Sequence, residues 1–477
     1  MIESDTRDWL EVPTDRGWQM ISGATRASFW LDRPERPDPR PALVGDLDTD
    51  LLVIGAGFTG LWTAVIAAEE NPGRRIVVVE ADRIAEGASG RNGGFCSASL
   101  THGLANGVAR HRDELATLLT MGVQTLDEIE KSLVRLGVDA DAERVGELDI
   151  ANHDWQLDQL REHCDTAAQF GLPDVLLDTD AARATIASPM VLGATFDPHV
   201  MMLDPARLAW GLAAAAERLG VHIAEHTAVT GISRSRGRVR VSTAIGSITA
   251  DRVVVATGAA RPLRRRDRWA TVPVWDYVLM TEPLSPQQRA AIGWSGREGL
   301  ADCGSRFHYF RLTADDRILF GGWDALYRFG SDRDVRYQQD DREFALLAEH
   351  LVQMFPQLDG VGISHRWGGA IDTCTRFSAY WDLGLGGRVV SVLGFTGLGV
   401  GASHFAARTA LDLVDGRDTE RTRLSMVRRR PLPFPPEPMR WIGITITRRE
   451  FARMDRNRGR RGWWLRTMDA LGLGFDS

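Results

Sequence analysis

Lysine is nearly absent from this sequence: Lys131 is the only one among 57 basic residues, and the rest are arginine. That excess reads as a compositional bias rather than a surface built for one partner, and with a formal charge of −7 no nucleic-acid partner is expected. Cysteine is scarce too. Cys96, Cys164, Cys303 and Cys374 show no CxxC and no Cys/His ligand spacing, which excludes a disulfide framework and a zinc site. The expectation is reduced thiols in a cytoplasmic protein with no bound metal. The opening run MIESDTRDWLEVPTD carries acids where an export signal needs a basic and then an apolar stretch, so no export is expected. Long unbroken apolar runs are missing as well: Leu51 to Ala68 approaches the length of a membrane span but contains Gly55, Gly57 and Gly60, and no transmembrane segment is predicted. There is no internal repeat.

What is present is the composition of a packed enzyme: 477 residues, 44% hydrophobic and 25% charged, enough for a large core in two or three domains. The 48 glycines gather in short clusters, where a backbone turns tightly or approaches something closely. In the first, the apolar run Leu51-Leu52-Val53-Ile54 leads into Gly55-Ala56-Gly57-Phe58-Thr59-Gly60 and then a helix-compatible stretch, Leu61 to Glu70. A second strand, Arg75 to Val79, ends at Glu80 and Ala81, closing a βαβ unit. The first glycine permits the turn, the second lets backbone amides approach a pyrophosphate, and the third lets helix and strand pack. Glu80 is placed to accept a hydrogen bond from a ribose hydroxyl.

That cradle suits FAD and NAD alike, so other segments must arbitrate. The loop Gly87-Ala88-Ser89-Gly90-Arg91-Asn92-Gly93-Gly94 combines a permissive backbone with a hydroxyl, a guanidinium and an amide, which fits a pyrophosphate and the near part of a longer cofactor. A strand over Asp251 to Val255 ends in the turn Ala256-Thr257-Gly258. Near the end, the strand Arg388 to Leu393 is followed by Gly394-Phe395-Thr396-Gly397-Leu398-Gly399-Val400-Gly401, which opens a helix running to Val414. The free N–H groups and positive dipole of that helix start suit the edge of a flavin that becomes negative on reduction.

With these segments in view, the sequence resembles the D-amino-acid oxidase-like (DAO) family of FAD-dependent oxidoreductases, especially the branch around gamma-glutamylputrescine oxidoreductase. The resemblance rests on SFW at 28–30, VIGAGFTGLWTA at 53–64, EADRIAEGASGRNGGF at 80–95, LDPARL at 203–208, VVATGA at 254–259, RWGGAID at 366–372 and GFTGLGVG at 394–401. It implies an FAD held without a covalent bond: Gly55, Gly57 and Gly60 at the ADP, Glu80 at the ribose, Ser89 through Gly94 at the phosphates and flavin, Val229 at the adenine, and Thr396 through Val400 at the flavin edge. It also implies oxidation of a C–N bond in a small-molecule amine or amino acid by hydride transfer to flavin N5, giving an imine that hydrolyses. Where relatives often carry an acid and a proline after the WGG segment, this chain has Cys374-Thr375-Arg376. Some relatives also place a lysine over the flavin to promote reaction with oxygen; with Lys131 alone, an electron acceptor other than oxygen gains ground.

The predicted fold is α/β: a discontinuous Rossmann-like FAD domain over 1–100, 190–264 and 363–417, and an α+β substrate domain with an antiparallel sheet over 101–189 and 265–362. A proline-linked basic arm follows over 418–477; from Arg421 onward it carries 14 arginines against five acids, and docking on the acidic body is preferred to contact with a membrane surface. In the helix-rich insertion, Leu115, Leu118, Leu119 and Val123 are read as core packing. No catalytic side chain is named, because the cofactor carries the redox step. The residues proposed to meet substrate are His308, Tyr309, Arg311, Trp323 and Arg376. A flavoprotein of another type, such as an NAD(P)H-dependent hydroxylase, and a non-catalytic FAD-bound scaffold remain as alternatives.

Overall fold

The computed structural model describes residues 8–471, so the two extremes, residues 1–7 and 472–477, lie outside the described residues. The glycine-punctuated strands assemble into one eight-stranded sheet. Its path runs Tyr380–Gly384, Val389–Leu393, Ser247–Val255, Leu47–Ile54, Ile76–Val79 and His222–Ala224, and the hairpin Val229–Ser235/Arg238–Thr243 joins the Ser247–Val255 strand. Five of these strands are parallel, and one register row crosses them through Val390, Val254, Val53, Val78 and Ile223. Near-continuous apolar strands form such a sheet because both of its faces are covered. On one face lie the helices Phe58–Glu70, Pro205–Arg218 and Gly399–Val414, packing Leu61, Val65, Leu212, Ala406 and Ala410 together. The hairpin covers the other face through Val239 and Val241, against Leu52, Val77 and Val253. Every residue of the first helix from Phe58 to Ala68 is buried, as befits a helix sandwiched between a sheet and two other helices. The second begins at Pro205, with the Asp204 carboxylate accepting the N–H groups of Ala206 and Arg207, a proline-started and acid-capped turn.

A second, nine-stranded sheet is built around Thr271–Thr281, which pairs antiparallel along its whole length with Ile363–Cys374. It continues through Ile318–Gly322, His308–Leu312, Gly299–Asp302, Glu147–Ala151 and Gly193–Asp197. One junction, Gly299–Asp302 with Glu147–Ala151, is parallel, so the sheet is antiparallel only in the main. Its core packs Phe310, Phe320, Trp294 and Ile21 against Phe344 and Leu351 of the helix Asp341–Met354.

The segment boundaries drawn from the sequence need correction here. Ile363–Cys374 and Gly193–Asp197, assigned to the FAD domain, are strands of the second sheet. The early helix Asp15–Ile21 also packs on the second core: Gly17 lies so close to the Asp341–Met354 helix that a Cβ there would fall 2.4 Å from the Ala345 carbonyl oxygen. The reason is that a strand's apolar content is compatible with either sheet, and only the pairing partner decides. In the helical insertion, Leu115 and Leu118 are core, whereas Leu119 and Val123 border the cavity described next.

After Val414 the chain crosses Pro431–Pro438 and forms two helices, Met439–Arg456 and Trp463–Ala470. No helix among the described residues is long and apolar enough to cross a membrane.

Candidate active site

In the eight-stranded sheet the parallel strands end at one edge, so Gly55, Glu80, Ala256 and Gly394 follow their strands into the same region. Ligands bind α/β sheets at such carboxyl ends. A cavity of about 2130 Å³ opens there and continues beneath the second sheet. An ordinary small-molecule pocket measures about 300–1,000 Å³, so this one has room for an extended cofactor and a substrate together.

At the first turn Gly55 has φ +106°, and a Cβ on it would lie 2.4 Å from the Ala256 carbonyl oxygen. A Cβ on Gly60 would lie 1.9 Å from the Gly55 oxygen, and one on Gly57 would lie 2.8 Å from Ser89 Oγ. The helix start is thus pressed against the sheet and open toward the cavity, with Ser89 Oγ accepting the Phe58 N–H at 2.9 Å. Glu80 lines the cavity, and its two carboxylate oxygens accept the N–H groups of Ala56 at 2.7 Å and Asp82 at 3.1 Å. Burial raises its pKa above the ordinary value, and these backbone hydrogen bonds oppose that rise.

Ala81, Thr59, Arg91, Asn92, Gly93, Val229, Thr257 and Gly258 also border the cavity. Arg91 is held by the Glu86 carbonyl and carboxylate, at 2.8 and 2.9 Å, and Asn92 folds back to accept the Gly94 N–H at 2.8 Å. The Thr257 hydroxyl is buried at the cavity with no hydrogen-bond partner among the described residues. Opposite, Thr396, Gly397, Leu398, Gly399 and Val400 form the rim at the start of the Gly399–Val414 helix, which no side chain caps. Two open helix starts facing one cavity suit a ligand with an anionic group at each place.

Four of the nominated glycines stand behind the wall. Gly60, Gly90 and Gly94 do not border the cavity; they allow close backbone packing, Gly90 against the Ala85 oxygen and Gly94, at φ +80°, against the Leu203 oxygen. Gly394, at φ +82°, is likewise set back, and its N–H donates to the Asp372 carboxylate at 2.5 Å.

Of the residues nominated to meet substrate, Tyr309 and Trp323 border the cavity and three do not. Tyr309 donates to Asp276 at 2.6 Å and meets Phe95 edge-on. Trp323 is clamped between the His308 ring and the Arg306 guanidinium, 4.1 Å from its ring centre. His308 is fully buried in the second core, bonded to Asp302 at 2.7 Å and to His350 at 2.9 Å. Arg311 is also buried, donating to the Leu203 carbonyl at 2.6 Å and so tying the second sheet to the segment before the Pro205–Arg218 helix. Arg376 donates to the carbonyls of Met426, Arg429, Ser378 and Ala379. His308, Arg311 and Arg376 are therefore structural. A polar residue in a strand or turn points to a ligand or to the backbone with equal ease, and only the surrounding chain chooses.

The structure also brings forward residues that sequence reading passed over. Asp276 lines the cavity and is pushed up to about 6 by burial, and Asp372 to about 7 for the same reason. Glu147, Asp149 and Asp197 lie on one face of adjoining strands at the cavity wall, since Glu147 pairs with Asp197 and Asp149 follows two residues on. Burial and mutual repulsion raise Glu147 well above the usual carboxylate range. The available signal was an acid inside an apolar alternating run, as in Val272-Pro273-Val274-Trp275-Asp276.

The family model for FAD dependent oxidoreductases (DAO) matches residues 50–413. The gamma-glutamylputrescine oxidoreductase of Escherichia coli is 32% identical over 83% of this chain and 90% of its own length. A probable oxidoreductase, OrdL, of Haemophilus influenzae is 27% identical over 82% and 88% respectively. Among solved structures, glycine oxidase from Geobacillus kaustophilus superposes with a TM-score of 0.67 at 20% identity, covering 80% of this chain and 99% of that one.

Proposed function

The chain belongs to the DAO family of FAD-dependent oxidoreductases, and from that premise we propose that it oxidises the C–N bond of an amine or amino acid to an imine that hydrolyses in water. The observation that carries this reading is the composition of the cavity beyond the cofactor cradle. Its wall holds Asp276, with Asp149 and Asp197 further along, while Arg311 and Arg376, nominated to meet substrate, are spent on backbone carbonyls elsewhere. The Asp276 carboxyl, anionic above about 6, gives a cationic nitrogen a partner, and an amine at neutral pH is a cation.

The cradle fits FAD. Gly55 and Gly57 would hold the pyrophosphate, Glu80 a ribose hydroxyl and Thr257 a further polar atom, and the start of the late helix would hold the flavin edge. Bound there, FAD supplies a hydride acceptor for the carbon next to nitrogen. The chain's own work is to orient and to dry the site. Tyr309 and Asp276 put one hydrogen-bonded polar pair into a wall of Phe95, Val274 and Val278, where the carboxylate holds the substrate nitrogen and the apolar neighbours keep water away. Attachment of the flavin is non-covalent in this reading, because burial pushes the Cys96 thiol up to about 12 and raises that of Cys374, which leaves both as unreactive thiols.

The acceptor is proposed to be other than oxygen. Lys131 stands exposed on the Leu115–Leu136 helix beside Glu128 and is no part of the cavity wall. The four unpaired cysteines support a cytoplasmic setting. The test is anaerobic mixing of the oxidised holoenzyme with a panel of amines and amino acids. Bleaching of the flavin by an amine, with turnover raised by a dye acceptor over air, is the expected result. Reduction by NADPH and by no amine would replace this reading with a hydroxylase.

A further inference from the structure

The C-terminal arm lies beyond the stretch matched by the family model, yet it forms part of the same cavity as the flavin cradle. In the helix Met439–Arg456 the face that borders the cavity carries Arg440, Gly443, Ile444, Thr447, Phe451 and Met454, and Met439 and Arg448 border it as well. Their spacing of three and four is that of one helix face. The neighbouring Trp441 and Ile442 point outward and are exposed, so the inward face is set by the seating of the helix. In the last helix, Trp464 and Met468, one turn apart, complete the wall, and Trp464 Nε1 donates to Thr447 Oγ1 at 2.9 Å.

This seating is held by specific contacts. Asp455 accepts the N–H groups of Ser305 and Arg306 at 3.0 and 3.2 Å, and Arg448 pairs with Asp324 at 3.2 Å. Glu11, from the start of the chain, bridges Arg306 at 2.7 Å and Arg456 at 3.0 Å. At the other end, Thr375 donates to the Leu432 carbonyl at 2.7 Å, and the Phe434 N–H donates to the Trp269 carbonyl at 2.7 Å. Ser305, Arg306, Asp324 and Thr375 themselves border the cavity, so the arm is fastened to its rim.

We propose that the arm is the specificity-determining wall of the substrate chamber, and that it selects amines carrying a bulky apolar substituent, aryl or long alkyl, which packs on Ile444, Phe451, Met454 and Trp464 while the nitrogen faces the carboxylates across the chamber. This deepens the amine reading above and rests on it for the identity of the reacting group. Thioether and aromatic side chains give an adaptable apolar surface, and the guanidiniums that border it are engaged: Arg448 pairs with Asp324 at 3.2 Å, Arg461 pairs with Asp469 at 2.7 Å, and Arg440 donates to the Pro435 carbonyl and the Ser331 hydroxyl. A small amine leaves that surface wet, whereas a large one covers it, and the arm thereby favours the large one.

The test uses the full-length holoenzyme with Phe451→Ala and Met454→Ala, and Arg449→Ala on the exposed side of the same helix as the control. Two quantities are read. One is the ratio of kcat/KM for benzylamine to that for methylamine. The other is the ratio of calorimetric Kd values for tetramethylammonium and benzyltrimethylammonium, cations that bind without being oxidised. Both ratios are expected to favour the benzyl compound in the wild type, to fall by about tenfold in each inward variant, and to hold in Arg449→Ala. Met454→Ala decides the matter if Phe451→Ala does not fold. Equal losses for large and small cations, unchanged ratios, or no binding of either cation by the wild type would overturn the proposal. Binding that responds as expected, with no amine reducing the flavin, would leave the wall standing and refute the amine oxidation instead.

Discussion

Replacing Glu80 with alanine perturbs the cradle at one atom group whose two duties can be measured apart. The carboxylate accepts the Ala56 N–H at 2.7 Å and the Asp82 N–H at 3.1 Å, and it borders the cavity where a ribose would lie. Ala56 is 0% exposed with the carboxylate in place, and its N–H loses its partner once the carboxylate is gone. An orphaned buried donor costs about 1–3 kcal/mol, and this loss falls on the fold whether or not FAD is bound. A charge-assisted hydrogen bond to a ribose hydroxyl contributes about 1.5–3 kcal/mol, and its loss weakens FAD binding by roughly 10- to 100-fold. Glu80→Gln separates the two duties: its amide oxygen keeps the Ala56 N–H, but its NH2 group is a second donor set against the Asp82 N–H, so an intermediate result is expected on both counts. Thermal unfolding of the apoprotein measures the first duty, and calorimetric titration of the apoprotein with FAD measures the second. An alanine variant with wild-type FAD affinity would refute the ribose assignment, and one with wild-type apoprotein stability would refute the orphaned-donor argument.

Gly60→Ala puts a Cβ 1.9 Å from the Gly55 oxygen, backbone against backbone, so the Phe58–Glu70 helix must back away from the sheet and the purified protein should lose its flavin; full flavin content at normal yield would contradict this. Arg376→Ala removes the donor that ties Met426 and Arg429 to the body, and about 1–3 kcal/mol per orphaned group should appear as a lower Tm, whereas a wild-type Tm with a changed KM would return Arg376 to the substrate site. The Asp276 carboxyl is pushed up from 3.8 to about 6 by burial, so it is neutral below that pH and anionic above it. Binding of tetramethylammonium should therefore tighten as pH rises through about 6, and Asp276→Asn should flatten that rise. The same shift favours the protonated form in the fold, so its contribution to stability is complete below the ordinary carboxyl pKa and is lost as pH rises toward about 6; a Tm that climbs between pH 4 and pH 6 because of Asp276 would have the wrong sign.

The FAD-domain sheet was legible because its signals are local. Leu51-Leu52-Val53-Ile54 followed by Gly55-Ala56-Gly57 is strand and turn within a few residues, and the second strand and Glu80 follow within one βαβ unit. The chemistry of a glycine that must adopt φ +106°, or of a helix that must start without a side chain, is written into the residue itself. The late segment Gly394 to Gly401 was readable for the same reason.

What tertiary structure decided is where long-range partners lie. His308 and Arg311 sit on a strand that alternates as expected, yet whether each meets substrate or core depends on Asp302 and His350 in one case and on the Leu203 carbonyl in the other. Arg376 is satisfied by carbonyls of Met426 and Arg429, 50 and 53 residues away, and Asp276 gains its partner Tyr309 at a separation of 33. Asp455 fastens the arm to Ser305 across 150 residues, turning a basic tail into a wall of the chamber. Sequence spacing determines which backbone conformations and which faces are available, because those are set by bonds between near neighbours. Burial, the shift of a carboxyl pKa and the choice between ligand and scaffold depend on which distant atoms arrive, and only the packed chain fixes that.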